Sequence, residues 1–115
     1  MNTINDYFVL NAIENIYQSA KDSELKIDVL QTFENMPFLM DFFSLNEVQT
    51  VLYCTIFVMY YEDERNQNSM WNYFNLQKID SLKFEKEILS LFQKRLIQNN
   101  ARSFRNSDYQ INEKV

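Results

Sequence analysis

A mainly α chain with a small C-terminal β-hairpin is the fold class that this sequence predicts. Three observations predict it. Apolar residues recur at helical spacing through most of the chain. A capping sequence at Ser44-Leu45-Asn46-Glu47 opens a tract, Val51 to Tyr61, that is apolar almost all round. After residue 96 the pattern changes to the alternation of a strand. From residue 44 the order is long helix, short helix, tight connector, helix and hairpin. That order predicts a winged helix-turn-helix preceded by two N-terminal helices. The expected division is a helical extension over 1–43 and a winged-helix domain over 44–115.

Each element has its own local reason. Residues 5–20 place Phe8, Ala12 or Ile13, Ile16 and Tyr17 on one face of a helix. After a break at Lys21-Asp22-Ser23, Ile27, Leu30 and Phe33 predict a second helix over about 24–35. Pro37 forbids its smooth continuation, and Phe38 to Phe43 reads as a short apolar turn or helix. Ser44 and Glu47 are spaced for reciprocal capping of a helix that runs to about Tyr61. The polar run 62–68 predicts a loop. A short helix follows from Met70 to Asn75, then a connector to Asp80. Ser81 is placed to cap a helix over 82–95, with Phe84, Ile88, Leu89, Leu91 and Phe92 on its core side. Residues 96–113 are expected to double back as the wing, with Tyr109 and Ile111 on one face.

Composition restricts the chemistry. The 115 residues include no glycine, no histidine and one cysteine. Phosphate-cradling loops need glycine for a close backbone approach. Catalytic triads and most zinc sites need histidine or several thiolates. No catalytic, cofactor-binding or metal-ligating residue is therefore expected, and no small-molecule substrate. The acidic run Glu62-Asp63-Glu64 lacks the spaced oxygen ligands and the glycine of a calcium loop. Cys54 lies mid-helix among apolar neighbours and reads as a buried, inert thiol. A single cysteine and an N-terminus without a signal-peptide pattern predict a cytoplasmic protein. The longest apolar tract is too short for a membrane span of about 20 residues.

The net charge of −5 conceals an asymmetry. Residues 1–60 hold eight acids against Lys21 and Lys26, whereas 61–115 hold nine bases against eight acids. In the expected winged helix, Lys83, Lys86 and Lys94 share the side of the 82–95 helix away from the core. Arg102 and Arg105 sit at the hairpin tip. Those five residues are the DNA-contact candidates; a solvated helix face and a soluble tip are the competing reading. The aromatic content is high, with ten Phe, seven Tyr and one Trp. Met36, Phe38, Met40, Phe42 and Phe43 are denser than one small helix face buries easily, and with Trp71 and Phe104 they form the interface candidates. Core packing is the competing reading for the residues around Pro37, packing within the turn-helix pair for Trp71, and folding back onto the domain for Phe104.

The segments SLNEVQTVLYCTIF, WNYFNLQKIDSLKFEKEILSLFQKRLI and SDYQINEKV resemble the winged-helix region that precedes the ATPase core in a group of bacterial AAA+ ATPases of Bacteroidetes type. The resemblance covers about the last 70 residues and rests on fold pattern. It implies a non-catalytic accessory domain that works through protein contacts or self-association, with nucleotide chemistry elsewhere. This chain carries no Walker A loop. The alternative is a DNA-binding regulator that uses the 82–95 helix and the wing.

Overall fold

The computed structural model describes residues 3–62, 67–99 and 109–111. Six α-helices fill most of that length: α1 (Thr3–Ser19), α2 (Ile27–Leu30), α3 (Met36–Phe43), α4 (Glu47–Tyr61), α5 (Gln67–Tyr73) and α6 (Glu85–Gln93). A 3-10 segment, Lys78–Phe84, leads directly into α6. The two strands are three residues each, β1 (Ile97–Asn99) and β2 (Tyr109–Ile111), paired antiparallel with Ile97 opposite Ile111.

The expected winged helix-turn-helix with a C-terminal β-hairpin is corrected by this architecture. The described residues form a predominantly helical domain. Among the described residues the strand pair spans three residues a side, and β2 lies against α4. Leu96 and Ile97 are buried in the core. The tip, with Arg102, Phe104 and Arg105, lies outside the described residues. The expected 82–95 helix is also divided, because its first residues belong to the 3-10 segment and α6 proper begins at Glu85. Gln77 and Asp80 cap that segment reciprocally, while the Ser81 hydroxyl donates to the Lys78 carbonyl. Ser81 therefore does not open an α-helix.

The centre of the domain is α4. Ten of its fifteen side chains are buried, so apolar residues all round its surface are matched by neighbours all round it. α1 lies along it as its most extensive partner, and α2, α3, α5, α6 and β2 complete the enclosure. One continuous cluster of buried residues runs from Ala12 through Leu52 and Phe74 to Ile97.

The cap of α4 differs from the expected one by two residues. Asn46 accepts from the Gln49 amide at 2.8 Å, and the Gln49 side chain accepts from the Asn46 amide at 3.2 Å. Ser44 is not the N-cap, because it has φ 58° and terminates α3. Its place in the left-handed region belongs to a repeated device. A glycine-free chain must still end its helices, and among the described residues seven have positive φ: Asp22, Glu24, Leu25, Asn35, Ser44, Asn75 and Arg95. Ser44, Asn75 and Arg95 are each followed by leucine. The amides of Leu45, Leu76 and Leu96 then close back onto Met40, Trp71 and Leu91 at 2.9, 2.9 and 3.0 Å. This is the Schellman bond pattern, which satisfies carbonyls that a helix end leaves open.

The expected 24–35 helix shrinks to the four residues of α2 for a related reason. Asp22, Glu24 and Leu25 all have positive φ. This geometry aims the Asp22 and Glu24 amides at the carbonyls of Tyr73 and Phe74, both at 2.9 Å. The corner thereby satisfies the open end of α5. Tyr73 reinforces the joint: its hydroxyl donates to the Tyr17 carbonyl at 2.7 Å, and its ring stacks on Tyr17 at 4.7 Å.

Two stability predictions follow from this geometry. A non-glycine residue in the left-handed region costs about 1–2 kcal/mol, part of which glycine offsets with its own chain entropy. Ser44→Gly and Arg95→Gly should each stabilise the fold by about 0.5–1 kcal/mol in urea denaturation. Within α4, the Thr50 hydroxyl donates to the Asn46 carbonyl at 2.7 Å, whereas the buried Thr55 hydroxyl has no hydrogen-bond partner among the described residues. Thr55→Val should raise stability by about 1 kcal/mol, because an unsatisfied buried hydroxyl is removed at nearly constant volume. A lower urea midpoint for that variant would contradict the assignment.

Candidate docking surface

α3 is eight residues long, and Asp41 is its one polar residue. Pro37 falls in the first turn, where a missing amide proton costs nothing. The left-handed Ser44 stops the helix after two turns. Met36 and Leu39 are buried against the core, and Met40 and Phe43 are partly buried. The opposite stripe, Phe38, Asp41 and Phe42, follows i, i+3, i+4 spacing and faces outward. Phe38 is 37% and Phe42 54% exposed. So short a helix cannot turn every apolar residue inward.

These rings continue into an aromatic succession across the helical face. Phe8 of α1 meets Phe38 edge-on at 4.8 Å, and Phe38 stacks on Phe42 at 5.8 Å. Phe42 contacts Phe43 at 5.0 Å, and Phe43 contacts Tyr53 at 4.9 Å. Along α4 the line runs through Phe57 to Tyr61. Tyr7, Phe8, Leu10, Phe42 and Tyr61 are all exposed.

Two depressions flank the succession. One, of about 480 Å³, has Met36, Pro37, Met40 and Leu45 as its floor and Asp41 and Glu47 at its rim. The other, of about 240 Å³ between α1 and α4, is floored by Leu10, Phe57 and Tyr61 and rimmed by Glu14 and Glu62. A third groove, of about 440 Å³, lies beside α6 between Trp71, Leu82, Leu89 and Phe92, with both Lys78 and Glu85 in its lining. Leu89 is 54% exposed there, which corrects its expected place in the core.

The structure sorts the interface candidates. Phe38 and Phe42 are exposed, while Met40 and Phe43 are half-buried beside them. Met36 and Trp71, at 2% and 4% exposure, are core residues that reach only the floors of grooves. Phe104 lies outside the described residues. Phe8, Leu10, Tyr61 and the four rim acids are additions that sequence reasoning missed.

Of the DNA-contact candidates, Lys83, Lys86 and Lys94 are all exposed. Lys94 Nζ donates to the Ser44 carbonyl at 2.6 Å, and Glu87 accepts from Gln49 Nε2 at 2.9 Å. The side of α6 expected to face solvent is thus partly turned toward the α3–α4 corner. Lys83 pairs with Asp80 at 3.7 Å. Lys86 is exposed, but so are Leu82, Glu85 and Leu89 around it. Arg102 and Arg105 lie outside the described residues.

Reactive side chains are sparse. Cys54 is fully buried, and desolvation pushes its thiol pKa far up, away from nucleophilic use. Among the described residues, no group of three or more His, Cys, Asp or Glu is placed to share a metal ion. No single helix among them is long and apolar enough to cross a membrane. No protein family, curated protein or solved structure matches the chain.

Tyr53, between Phe43 and Phe57 in the ring succession, is pushed up to about 12, chiefly by burial and secondarily by Cys54 and Tyr61. Its folded pKa lies above the ordinary 10.0, so the folded state holds this proton longer than the unfolded chain. The resulting stability is full below the ordinary value and is lost as pH rises through the folded one. Between pH 10 and about 12, Tyr53→Phe should lose stability less steeply than the parent chain. Denaturation midpoints measured across that window test this.

Proposed function

We propose that this chain is a non-catalytic protein-docking domain that acts in the cytoplasm through the aromatic face of α1 and α3. The observation that carries the reading is the exposed Phe38–Phe42 stripe on a helix with one polar residue, joined to Phe8 and flanked by apolar depressions. Half-exposed rings forgo part of the roughly 1.5–3 kcal/mol that full burial of such a side chain contributes, and a partner can recover that part. Contiguous apolar surface of this kind marks interaction sites, and aromatic residues dominate their binding energy. The burial of Cys54, the chain's one thiol, supports a non-catalytic role. Attachment to a AAA+ ATPase rests on the sequence resemblance alone. On this reading the domain acts by presenting a surface, and its occupancy is the functional event.

The test is to place a photo-crosslinking amino acid at position 42, and for comparison at position 86 on α6, in the producing cell. Discrete protein adducts are expected from position 42 and should be lost when Phe38→Ser is added. Position 42 without adducts would overturn the reading. The double variant Phe38→Ser, Phe42→Ser should keep its melting behaviour within about 1 kcal/mol of the parent, as expected for exposed side chains.

A further inference from the structure

We propose that the partner on this face is a basic amphipathic helix of another protein, with large apolar anchors between its lysines and arginines. This rests on the docking role argued above and adds the chemistry of the occupant. The rim charges carry the inference. The depression beside α3 has Asp41 and Glu47 at its edge, the one between α1 and α4 has Glu14 and Glu62, and among the described residues neither is lined by a Lys or Arg. The sequences of α1, α3 and α4 contain acids but no base. The groove beside α6 differs, since Lys78 and Glu85 leave it without a preferred sign.

The two kinds of surface do different work. Apolar floors and rings supply affinity, and the carboxylates select the sign of the partner and speed its encounter. A lysine or arginine can lay its methylene stem on Leu10 or Met40 while its head reaches a rim carboxylate. An arginine over the exposed faces of Phe38, Phe42 or Tyr61 gains a further cation–π term. Glu47 is partly engaged, because it accepts from Gln31 Nε2 at 3.4 Å, whereas Glu14, Asp41 and Glu62 are exposed. A helix is the economical form for such a partner, since it presents anchors at i, i+4 and i+7 with its backbone already hydrogen-bonded.

Other occupants fit less well. Anionic lipid and nucleic acid have the same sign as the rim. A second copy would have to offer its own basic stretch over 83–105. Within that stretch Lys83 is paired with Asp80 and Lys94 is engaged by the Ser44 carbonyl, which leaves Lys86 and Arg95 as the remaining exposed bases of its described part.

The test titrates the full chain into a fluorescently labelled synthetic amphipathic helix of leucine and lysine. A leucine–glutamate helix of the same pattern, phosphatidylserine vesicles and duplex DNA are run in parallel. The leucine–lysine helix is expected to bind at least about tenfold tighter than the leucine–glutamate helix, a difference of about 1.4 kcal/mol. Its affinity should fall several-fold as salt rises toward roughly 0.5 M, where charges are screened beyond about 4 Å. Phe38→Ser with Phe42→Ser should weaken it about tenfold, in keeping with the loss of hot-spot rings. Glu14→Lys with Asp41→Lys keeps every ring and should also weaken it several-fold, with an unchanged circular dichroism spectrum. Equal binding of the acidic helix, or undiminished binding by the charge-reversed variant, would overturn the proposal. So would preferential binding of vesicles or DNA, or concentration-dependent self-association abolished by Phe42→Ser. If neither peptide binds while position 42 still crosslinks in cells, the basic partner is refuted and the docking role stands. If crosslinking fails as well, both fall.

Discussion

Enclosure of α4 is the constraint on which the rest depends. A helix whose buried side chains include Val51, Leu52, Cys54, Ile56 and Val58 has no face to spare for water. Each such aliphatic side chain contributes roughly 1.5–3 kcal/mol when removed from solvent. The remaining elements of a small chain must therefore be arranged around one cylinder. The other α-helices each have an inner side committed to α4 and an outer side that is not. Features as distant as the β1–β2 pair and the corner at 22–25 take their positions from this enclosure, since they close what the longer helices leave open.

The same constraint creates the aromatic face. A chain so rich in phenylalanine and tyrosine exceeds what one central helix can cover, and the excess gathers where α3 is shortest. Ser44 ends α3 after two turns, so Phe38 and Phe42 stay partly open to solvent, while Met36 and Leu39 secure the helix from below. Polar hydrogen bonds hold the corner in place: Lys94 and Glu87 reach from α6 to Ser44, Gln49 and Asn46. The basic stretch of the chain thus contributes to positioning the acidic surface.

How much was legible depends on whether the cause was local. The central helix was plain from VLYCTIFVMYY, because apolar character all round a helix has one physical outcome in a chain too short to span a membrane. Its cap was ambiguous, since Ser44-x-x-Glu47 and Asn46-x-x-Gln49 have the same spacing, and only the need to end α3 decides between them. The 24–35 helix was lost to hydrogen bonds with Tyr73 and Phe74, some 50 residues away, which no periodicity records. The wing failed on the same kind of non-local effect, as Leu96 and Ile97 join the core and β2 lies against α4. For the site, the apolar density around Pro37 was legible, but not which side chains face outward: Met36 and Trp71 turned inward, and Leu89 outward. The rim acids left a trace in the near absence of bases before residue 60, where Lys21 and Lys26 both fall between helices.

The helix ends carry a consequence for how the molecule comes apart. At Ser44, Asn75 and Arg95 an ordinary residue is held in a backbone state it disfavours, and the leucine that follows closes the bond that holds it there. Leu45 and Leu96 keep those positions only while the interior they enter is assembled. A solitary helix from this chain would therefore fray from its last turn, whereas a glycine-terminated helix would not. Termination is delegated to the tertiary structure, so fragments should be poorly formed and the whole should melt as a single unit.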